Sequence, residues 1–421
     1  MDYFSTRSAD EKISAAEAII RGLAPDGGLY VPESFPQISL DEITALCELD
    51  YRARAKRIMA PFLADFTDAE VEELCAAAYG GNFDVPGTKI MVFYPRDGVS
   101  DVQRLQMVTQ SGDNVNVCAV EGNFDDAQAG VKRIFSDREL AAELEGHGWF
   151  LSSANSINWG RLLPQIAYYF SAYCDFVNAG LIAPGETMNF CVPTGNFGNI
   201  LAGWMARRMG LPVERFICAS NENNVLTDFI NTGVYDRRRE FHLTNSPSMD
   251  ILVSSNLERL LYFLTGDCGR VSAWMRGLSE EGRYDVGEEV LARLRSEFSA
   301  GFCTGDGACA EIARVWAEHG YLIDTHTAVA SAVLSAYRVG TGDETPTAIV
   351  STASPYKFCS SVLDALGMSS SDPGHELIGR LERATGTTAP APLAGLAGKA
   401  ERFTGCVEPE EMRAAVEGFL A

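Results

Sequence analysis

The chain has 421 residues, enough for two or three domains around a large core, and its mean hydropathy of −0.03 is typical of a soluble globular protein. Its formal charge of −23 argues against nucleic acid or an anionic membrane surface as a partner, and no apolar run reaches membrane-spanning length. Its 11 cysteines lie mostly in apolar runs without a metal-site spacing, so we expect reduced thiols, no bound metal and a cytoplasmic location.

The first unit, residues 1–84, is predicted to be mainly helical. Helices are expected over residues 14–23, 39–49, 50–63 and 67–79. Apolar residues recur there at helical spacing, and serine or threonine precedes three of them as a cap. No catalytic cluster is visible in this unit, so we interpret it as a cap on a larger domain.

From residue 85 onward the pattern changes to alternating strands and helices, which is typical of parallel α/β sheets. Strands are expected over residues 88–95, 115–120, 189–193, 215–220 and 347–352. The predicted domains are the helical unit (1–84), a small α/β domain (85–150) and a larger α/β domain (151–421). With only two predicted strands, the small domain looks incomplete.

Residues 188–200 join an apolar strand to a helix through a loop with two glycines, Gly195 and Gly198. Backbone N–H groups at a helix N-terminus have no partner inside the helix, and the helix dipole makes that position attractive to a phosphate. The glycines allow close approach of the backbone. An ordinary strand–helix connection explains the same pattern, and the loop alone does not decide between the two.

Three further positions carry possible chemistry. Residues 152–161 form a second loop before a helix, and Arg161 could hold a phosphate or carboxylate or simply lie on the surface. Thr352 ends a predicted strand, where a hydroxyl can meet a ligand or cap the strand. His326 opens a helix as a possible acid or base, but a hydrogen-bonded structural histidine is the better interpretation because no partner is visible.

Together these segments resemble the threonine synthases of the long, N-terminally extended type, which are pyridoxal-phosphate enzymes of fold type II, the tryptophan-synthase-β group. The resemblance is carried by seven segments in family order: residues 3–7, 22–32, 93–100, 153–158, 193–199, 246–250 and 351–358. It implies two open, parallel-rich sheets with helices on both faces, preceded by the helical unit.

The resemblance also implies a function and a set of site residues. The reaction would convert O-phospho-L-homoserine and water into L-threonine and phosphate, in a monomer or homodimer. The cofactor, pyridoxal 5'-phosphate, would be bound by Gly195, Asn196, Phe197, Gly198, Asn199 and Thr352. The substrate phosphate would be bound by Asn155, Ser156 and Arg161.

One part of the family pattern is absent from this sequence. Between Asp84 and Val85 the family carries a segment with the Schiff-base lysine, in an F-H-G-P-T-x-A-F-K-D motif, and a T-S-G-D-T-G motif. No catalytic lysine is therefore predicted, and turnover at the family's rate is not expected. A real deletion, an omitted segment and a mis-assembled reading frame each explain this, and the family match on both sides of the junction favours a clean excision over gradual divergence.

Three functions remain in competition at this point. The first is a threonine synthase with its catalytic segment missing. The second is a non-catalytic relative that binds pyridoxal phosphate or an anionic metabolite. The third, a fold type II lyase acting on serine, cysteine or threonine, is disfavoured by the predicted phosphate clamp and the long N-terminal unit.

Overall fold

The computed structural model describes residues 1–80, 89–96, 99–122, 124–369, 372–396 and 398–420. These residues form two parallel sheets with packed helices, preceded by a smaller antiparallel unit. The predicted α/β class with two parallel-rich sheets is confirmed. The junction at Asp84–Val85 lies outside the described residues.

The strands are numbered in chain order. They are β1 (Tyr3–Ser5), β2 (Ser8–Ile13), β3 (Tyr30–Pro32), β4 (Ile90–Pro95), β5 (Val115–Val120), β6 (Met188–Pro193), β7 (Val213–Ser220), β8 (Val234–Asp236), β9 (Arg283–Asp285), β10 (Phe298–Phe302), β11 (Thr347–Ile349) and β12 (Cys406–Val407).

The helices are numbered in the same way. They are α1 (Ala15–Arg21), α2 (Leu40–Leu46), α3 (Tyr51–Met59), α4 (Asp68–Gly80), α5 (Asp101–Val108), α6 (Phe124–Ser136), α7 (Arg138–Gly146), α8 (Trp159–Asn178), α9 (Gly198–Arg208), α10 (Val225–Thr232), α11 (Leu257–Thr265), α12 (Cys268–Glu280), α13 (Gly287–Glu297), α14 (Gly305–His319), α15 (Thr325–Thr341), α16 (Cys359–Ala365), α17 (Gly374–Thr385), α18 (Ala391–Ala394) and α19 (Met412–Leu420).

The large sheet has the strand order β10-β7-β6-β11, with every neighbouring pair parallel. Its central strand β6 is buried along its whole length, as expected for a parallel strand covered by helices on both faces. Phe190 on β6 and Phe216 on β7 pack against Tyr169 of α8. Strand β10 was not predicted, because its sequence Phe-Ser-Ala-Gly-Phe is short and contains small residues.

The small sheet has the order β12-β5-β4 and is also parallel. Its third strand, β12, comes from the far end of the chain, and α19 packs against α6 beside it. The prediction of two strands for this sheet was therefore incomplete. A two-residue strand so distant in sequence carries no local signal that would assign it to this sheet.

The N-terminal unit contains an antiparallel sheet, β2-β1-β3, besides its predicted helices. Tyr3 of β1 is fully buried, contacts Trp159 of α8 and donates a hydrogen bond of 2.7 Å to the Phe62 carbonyl. The unit is thus packed directly on the helix that precedes β6. Among the described residues, no helix is both long and apolar enough to cross a bilayer.

Candidate functional site

The turn between β6 and α9 has an unusual backbone conformation. Phe197, the residue before α9, has φ of 61° in the left-handed region, and it is the sole non-glycine residue with positive φ among those the structure describes. Such a conformation costs on the order of 1 kcal/mol or more and persists only where the surroundings fix it. Phe197 is buried and packs against Phe298 of β10. The surroundings therefore fix the conformation of residues 195–199, which we call the glycine loop.

The backbone N–H groups of the glycine loop have no hydrogen-bond acceptor among the described residues, whereas the preceding Thr194 N–H is bonded to the Ala219 carbonyl at 2.8 Å. The first amides of α9 are free for the general reason that a helix start has no internal acceptors. A run of successive amides around a left-handed residue forms a concave anion-binding nest. The positive end of the α9 dipole adds to the same attraction.

The loop carbonyls are held by the protein. Ser254 Oγ donates to the Gly195 carbonyl at 2.7 Å, and Asn256 donates to the Asn196 carbonyl through its backbone N–H at 3.1 Å and its Nδ2 at 3.0 Å. Fixing the carbonyls fixes the peptide planes, and with them the N–H directions. Asn196 Oδ1 is buried without a partner among the described residues, so the loop also carries an unused acceptor.

Both glycines are required by close packing. A Cβ on Gly195 would lie 2.7 Å from the backbone carbonyl oxygen of Ser248, and a Cβ on Gly198 would lie 2.7 Å from Ser156 Oγ. Contacts this short do not occur for real Cβ atoms. The Ser248 contact is the more severe, because a backbone oxygen cannot rotate away.

The loop before α8 reaches the glycine loop through Ser156. Its Oγ accepts a hydrogen bond of 2.9 Å from Asn256 Nδ2, the same amide that holds Asn196. Asn155 is exposed, and its Oδ1 accepts from the Ile157 N–H at 2.9 Å. Arg161 is exposed on the first turn of α8. Ser156 is thus in contact with the loop, while Asn155 and Arg161 face solvent beside it.

Arg259 of α11 ties these parts together and was missed by the sequence analysis. It is fully buried and donates to the carbonyls of Tyr30, Ser156 and Ile157 at 2.9, 2.9 and 2.6 Å. Burial lowers the pKa of Arg259 to about 9, so it stays charged at neutral pH. A single arginine inside the apolar run of α11 was the available signal.

The neighbouring Glu258 joins the N-terminal unit to α11. Its carboxylate accepts from Arg7 Nε at 2.8 Å and Nη2 at 2.9 Å, and from Thr6 Oγ1 at 2.6 Å. A bidentate arginine contact of this kind fixes orientation as well as distance. The N-terminal unit therefore braces the helix that carries Arg259.

Thr352 follows β11, which lies beside β6. The β11–β6 pairing continues past Ile349, because the Val350 N–H donates to the Cys191 carbonyl at 2.9 Å. Thr352 comes two residues later, at the carboxyl end of the sheet where the glycine loop also begins. Its side chain is exposed.

His326 is a structural residue, as predicted. Its Nε2 accepts from the Ser248 N–H at 3.2 Å, and its Nδ1 lies 3.1 Å from Asp324 Oδ1, with both side chains buried. The sequence analysis missed Asp324 as the partner because this residue is also the cap of α15. Through this hydrogen bond His326 supports Ser248, whose carbonyl oxygen lies against Gly195. We call the segment around Ser248 the Ser248 wall.

Asp250 completes that wall. Its carboxylate accepts from Asn221 Nδ2 at 2.7 Å, Asn223 Nδ2 at 3.0 Å, and the Thr244 N–H and hydroxyl at 2.9 and 2.7 Å. Burial raises the pKa of Asp250 despite these donors. The network makes the segment around Ser248 a rigid support.

A cavity of about 620 Å³ lies on the other side of this segment. Its walls are β4, β5 and α5 on one side, and Leu243, Ser248 and Asp250 on the other, with Lys357 as the one lining lysine among the described residues. No residue of the glycine loop lines it, so the cavity and the loop share only the Ser248 wall. No three His, Cys, Asp or Glu side chains of the described residues are grouped as a metal ion requires.

The comparisons with known proteins point to one family. Residues 2–79 match a family model described as threonine synthase N terminus. The threonine synthase of Pseudomonas aeruginosa is 33% identical, covering 91% of this chain and 95% of that protein. The chain belongs to the threonine synthase family.

Two further relatives define how far the likeness extends. A PLP-bound threonine synthase from Brucella melitensis has 32% identity and a TM-score of 0.83, and the match covers 100% of this chain and 99% of that one. The human protein named threonine synthase-like 1 is 35% identical over 86% of this chain, but the chain spans only 60% of that protein's length.

The family alignment also contains positions that this chain lacks. The match with the Pseudomonas aeruginosa threonine synthase runs over 459 residues, although it takes in 91% of a chain of 421. Roughly 75 of its positions therefore have no counterpart here. We refer to them as the unmatched positions.

Proposed function

We propose that the chain is a threonine synthase that binds pyridoxal 5'-phosphate at the glycine loop. The observation that carries the proposal is the run of unpartnered amides over residues 195–199, directed by fixed carbonyls and followed by the start of α9. The packing at Gly195 and Gly198 supports it, because a Cβ at either position would push the loop away from Ser248 or Ser156 and change the directions of its amides.

In this proposal the glycine loop, Gly195, Asn196, Phe197, Gly198 and Asn199, holds the cofactor phosphate. Thr352, at the end of the same sheet, offers its hydroxyl to the pyridine nitrogen. When bound, the cofactor supplies an electron sink for cleavage at the substrate's α, β and γ carbons. Ser254 and Asn256 keep the amides aimed, so that the phosphate fixes the position of the ring.

The proposed substrate is O-phospho-L-homoserine, which reacts with water to give L-threonine and phosphate, a carbon–oxygen lyase reaction. Asn155, Ser156 and Arg161 would hold its phosphate, with Arg161 as the cationic partner. Arg259 acts through them as a positioning residue, since it holds the carbonyls of Ser156 and Ile157 from the buried side.

Proton transfer is the step that this chain is least equipped for. Lys12 and Lys56 are paired with carboxylates at 2.8 Å, and Lys89 donates to the Phe419 carbonyl at 2.7 Å. We infer that the unmatched positions fall chiefly between Asp84 and Val85 and include the family's lysine. The chain as written would then hold the cofactor but turn over far more slowly than its relatives.

The second candidate function is a non-catalytic relative that binds pyridoxal phosphate or an anionic metabolite. The observation that favours it is the same absence of a family lysine motif from the 421 residues. Both candidate functions use the glycine loop to bind a phosphate or another anion. They differ only in whether the chain catalyses a reaction of the bound molecule. The domain limits at residues 84 and 150, a monomeric or dimeric state and a cytoplasmic location stay predictions.

Two measurements test the proposal. The intact mass of the protein purified from its natural source comes first, because a mass well above 45.6 kDa would show that residues are missing from this sequence. The second is titration with pyridoxal phosphate, followed by borohydride reduction, peptide mapping and an assay of threonine formation. Cofactor bound and fixed to a lysine supports the enzyme; cofactor bound but not fixed, without threonine, supports the non-catalytic relative. No cofactor binding overturns both.

A further inference from the structure

Asp324, the cap of α15, is a buried carboxylate with side-chain partners on two sides. It is 1% exposed, and its Oδ1 accepts from the backbone N–H groups of His326 and Thr327 at 2.9 and 3.4 Å. The first turns of α15 are fixed on the large sheet, because Cys191 Sγ of β6 donates to the Ala330 carbonyl at 3.2 Å. The carboxylate therefore has a fixed place relative to the sheet.

One side of this carboxylate is connected to the phosphate end of the proposed cofactor site. His326 Nε2 accepts from the Ser248 N–H at 3.2 Å, so the ring proton lies on Nδ1, which donates to Asp324 Oδ1 at 3.1 Å. The Ser248 carbonyl oxygen lies against Gly195, where a Cβ would be 2.7 Å from it. Asp324 thus orients the imidazole that supports the Ser248 wall.

The other side of the carboxylate is connected to the end of β11. Asp324 Oδ2 accepts from the Thr327 hydroxyl, which is also in hydrogen-bond contact with Ser351 Oγ at 3.1 Å. Among the described residues, this contact is the one hydrogen bond made by Ser351 or Thr352. The position of Thr352, two residues beyond the last hydrogen bond to β6, therefore depends on Thr327 and Asp324.

We propose that Asp324 is a positioning residue that sets the separation between the two ends of the cofactor site. Through His326 it supports the wall beside the amides that hold the phosphate, and through Thr327 it places the hydroxyl offered to the pyridine nitrogen. A rigid cofactor requires both ends at matched positions, and one buried carboxylate fixes both. The inference rests on the proposed function, in which pyridoxal phosphate lies between the glycine loop and Thr352.

The test adds pyridoxal phosphate with an isotopically labelled ring nitrogen to the full chain, and records the nitrogen and phosphorus resonances of the bound cofactor by NMR. Thr327→Val removes one hydroxyl at nearly constant volume and breaks the connection to Ser351. The nitrogen resonance should change, the phosphorus resonance should stay, and cofactor affinity should fall by about three- to tenfold. His326→Phe should give the reverse pattern, a changed phosphorus resonance with an unchanged nitrogen resonance.

Asp324→Ser tests the carboxylate itself. Serine caps a helix about as well as aspartate, so α15 should still begin at Thr325, but one short hydroxyl cannot hold both His326 and Thr327. Both resonances should change in this variant. Thr341→Val, at the exposed far end of the same helix, is the matched control and should leave both resonances and the affinity unchanged.

Unchanged resonances in Asp324→Ser, in a chain that circular dichroism shows to be folded, overturn the inference. If that variant does not fold, the Thr327→Val and His326→Phe pair decides, and the same change of both resonances in each overturns it, because the two connections would then not be separate. Cofactor bound by the unaltered chain, with resonances that the variants do not move, removes this inference alone. No cofactor bound by the unaltered chain removes the proposed function and this inference with it.

Discussion

At the carboxyl end of β6 the backbone is supported from several sides, whereas along β4 it is supported from one. The glycine loop has its carbonyls bound by Ser254 and Asn256, and its flank closed by Ser248. Strand β4 has one partner strand among the described residues and an exposed isoleucine. The backbone of the glycine loop is thus fixed from several sides by the described residues, whereas the backbone of β4 is fixed from one.

The difference has a simple physical origin. The glycine loop depends on α11, α15 and the N-terminal unit, all of which lie in the described chain and reach the loop through Arg259, His326 and Glu258. The small sheet ends at β4, which has β5 as its partner strand among the described residues. Substitutions at the supported positions should therefore have large effects, and substitutions at exposed positions small ones.

The largest effect is expected from Gly195→Ala. The new Cβ would lie 2.7 Å from the Ser248 carbonyl oxygen, so the loop must shift and its amides lose their common direction. We expect pyridoxal-phosphate affinity to fall by about 100-fold, because each lost hydrogen bond to a charged phosphate costs about 1.5–3 kcal/mol. The measurement is a spectroscopic titration with the cofactor.

The control for this variant is Gly340→Ala, in an exposed part of α15 with no atom within 4 Å of the new Cβ. It should leave cofactor affinity unchanged and raise the free energy of unfolding by about 0.5–1 kcal/mol. Equal loss of affinity in both variants would contradict the role given to Gly195.

Arg259→Met should reduce the free energy of unfolding by about 3–5 kcal/mol, because three buried carbonyls lose their charged donor. Chemical denaturation measures this change. Arg276→Met, at an exposed arginine of α12, is the matched control and should change stability by less than about 0.5 kcal/mol. A similar small change for Arg259 would refute its bracing role.

His326→Phe should reduce the free energy of unfolding by about 2–3 kcal/mol, because the Ser248 N–H and Asp324 lose their partner in a buried setting. Cofactor affinity should fall with it, since Ser248 forms the wall at Gly195. His319→Phe, on the exposed end of α14, serves as the comparison in the same denaturation series. Unchanged cofactor affinity in His326→Phe would show that the Ser248 wall does not support the cofactor site.

Asp250 gives a pH test of the same wall. Because burial raises its pKa, the native state keeps a proton that the unfolded chain has already released. The free energy of unfolding should therefore fall as pH rises above the ordinary aspartate pKa of about 3.9, by at most about 1.4 kcal/mol per unit. Asp250→Asn should remove this part of the slope. An unaltered slope would show that Asp250 does not titrate in that range.

Arg161→Ala should have the smallest effect on the fold, below about 0.5 kcal/mol, because the side chain is exposed. It should leave cofactor binding unchanged and weaken binding of a phosphorylated amino acid by about tenfold, with Arg161→Lys in between. Calorimetric titration with O-phospho-L-homoserine measures this. Undiminished affinity in Arg161→Ala would remove the residue from the substrate site.

Much of the fold could be predicted because its elements carry local signals. Strands such as β6 are continuous apolar runs, and helices such as α2 begin with a Ser39 cap. What the sequence could not show depends on long-range partners. Strand β12 pairs with β5 from the other end of the chain, and the bracing by Arg259 appears only when α11 meets the loop before α8.

The candidate site shows the same division. Gly195 and Gly198 are visible as a motif, but the contact of each with Ser248 or Ser156 is not. His326 was correctly interpreted as structural, although its link to the glycine loop through Ser248 needed the fold. The left-handed Phe197 could not be predicted, since phenylalanine has no preference for that conformation.

The most direct test of the account is residue-resolved amide exchange of the glycine loop, measured by NMR with and without pyridoxal phosphate. Without a ligand, the N–H groups of residues 195–199 have no acceptor among the described residues and should exchange quickly. With cofactor bound, the account predicts that these amides become protected together while Thr194, already bonded to Ala219, stays as it was. Bound cofactor without protection of the loop amides would contradict the claim that they hold its phosphate.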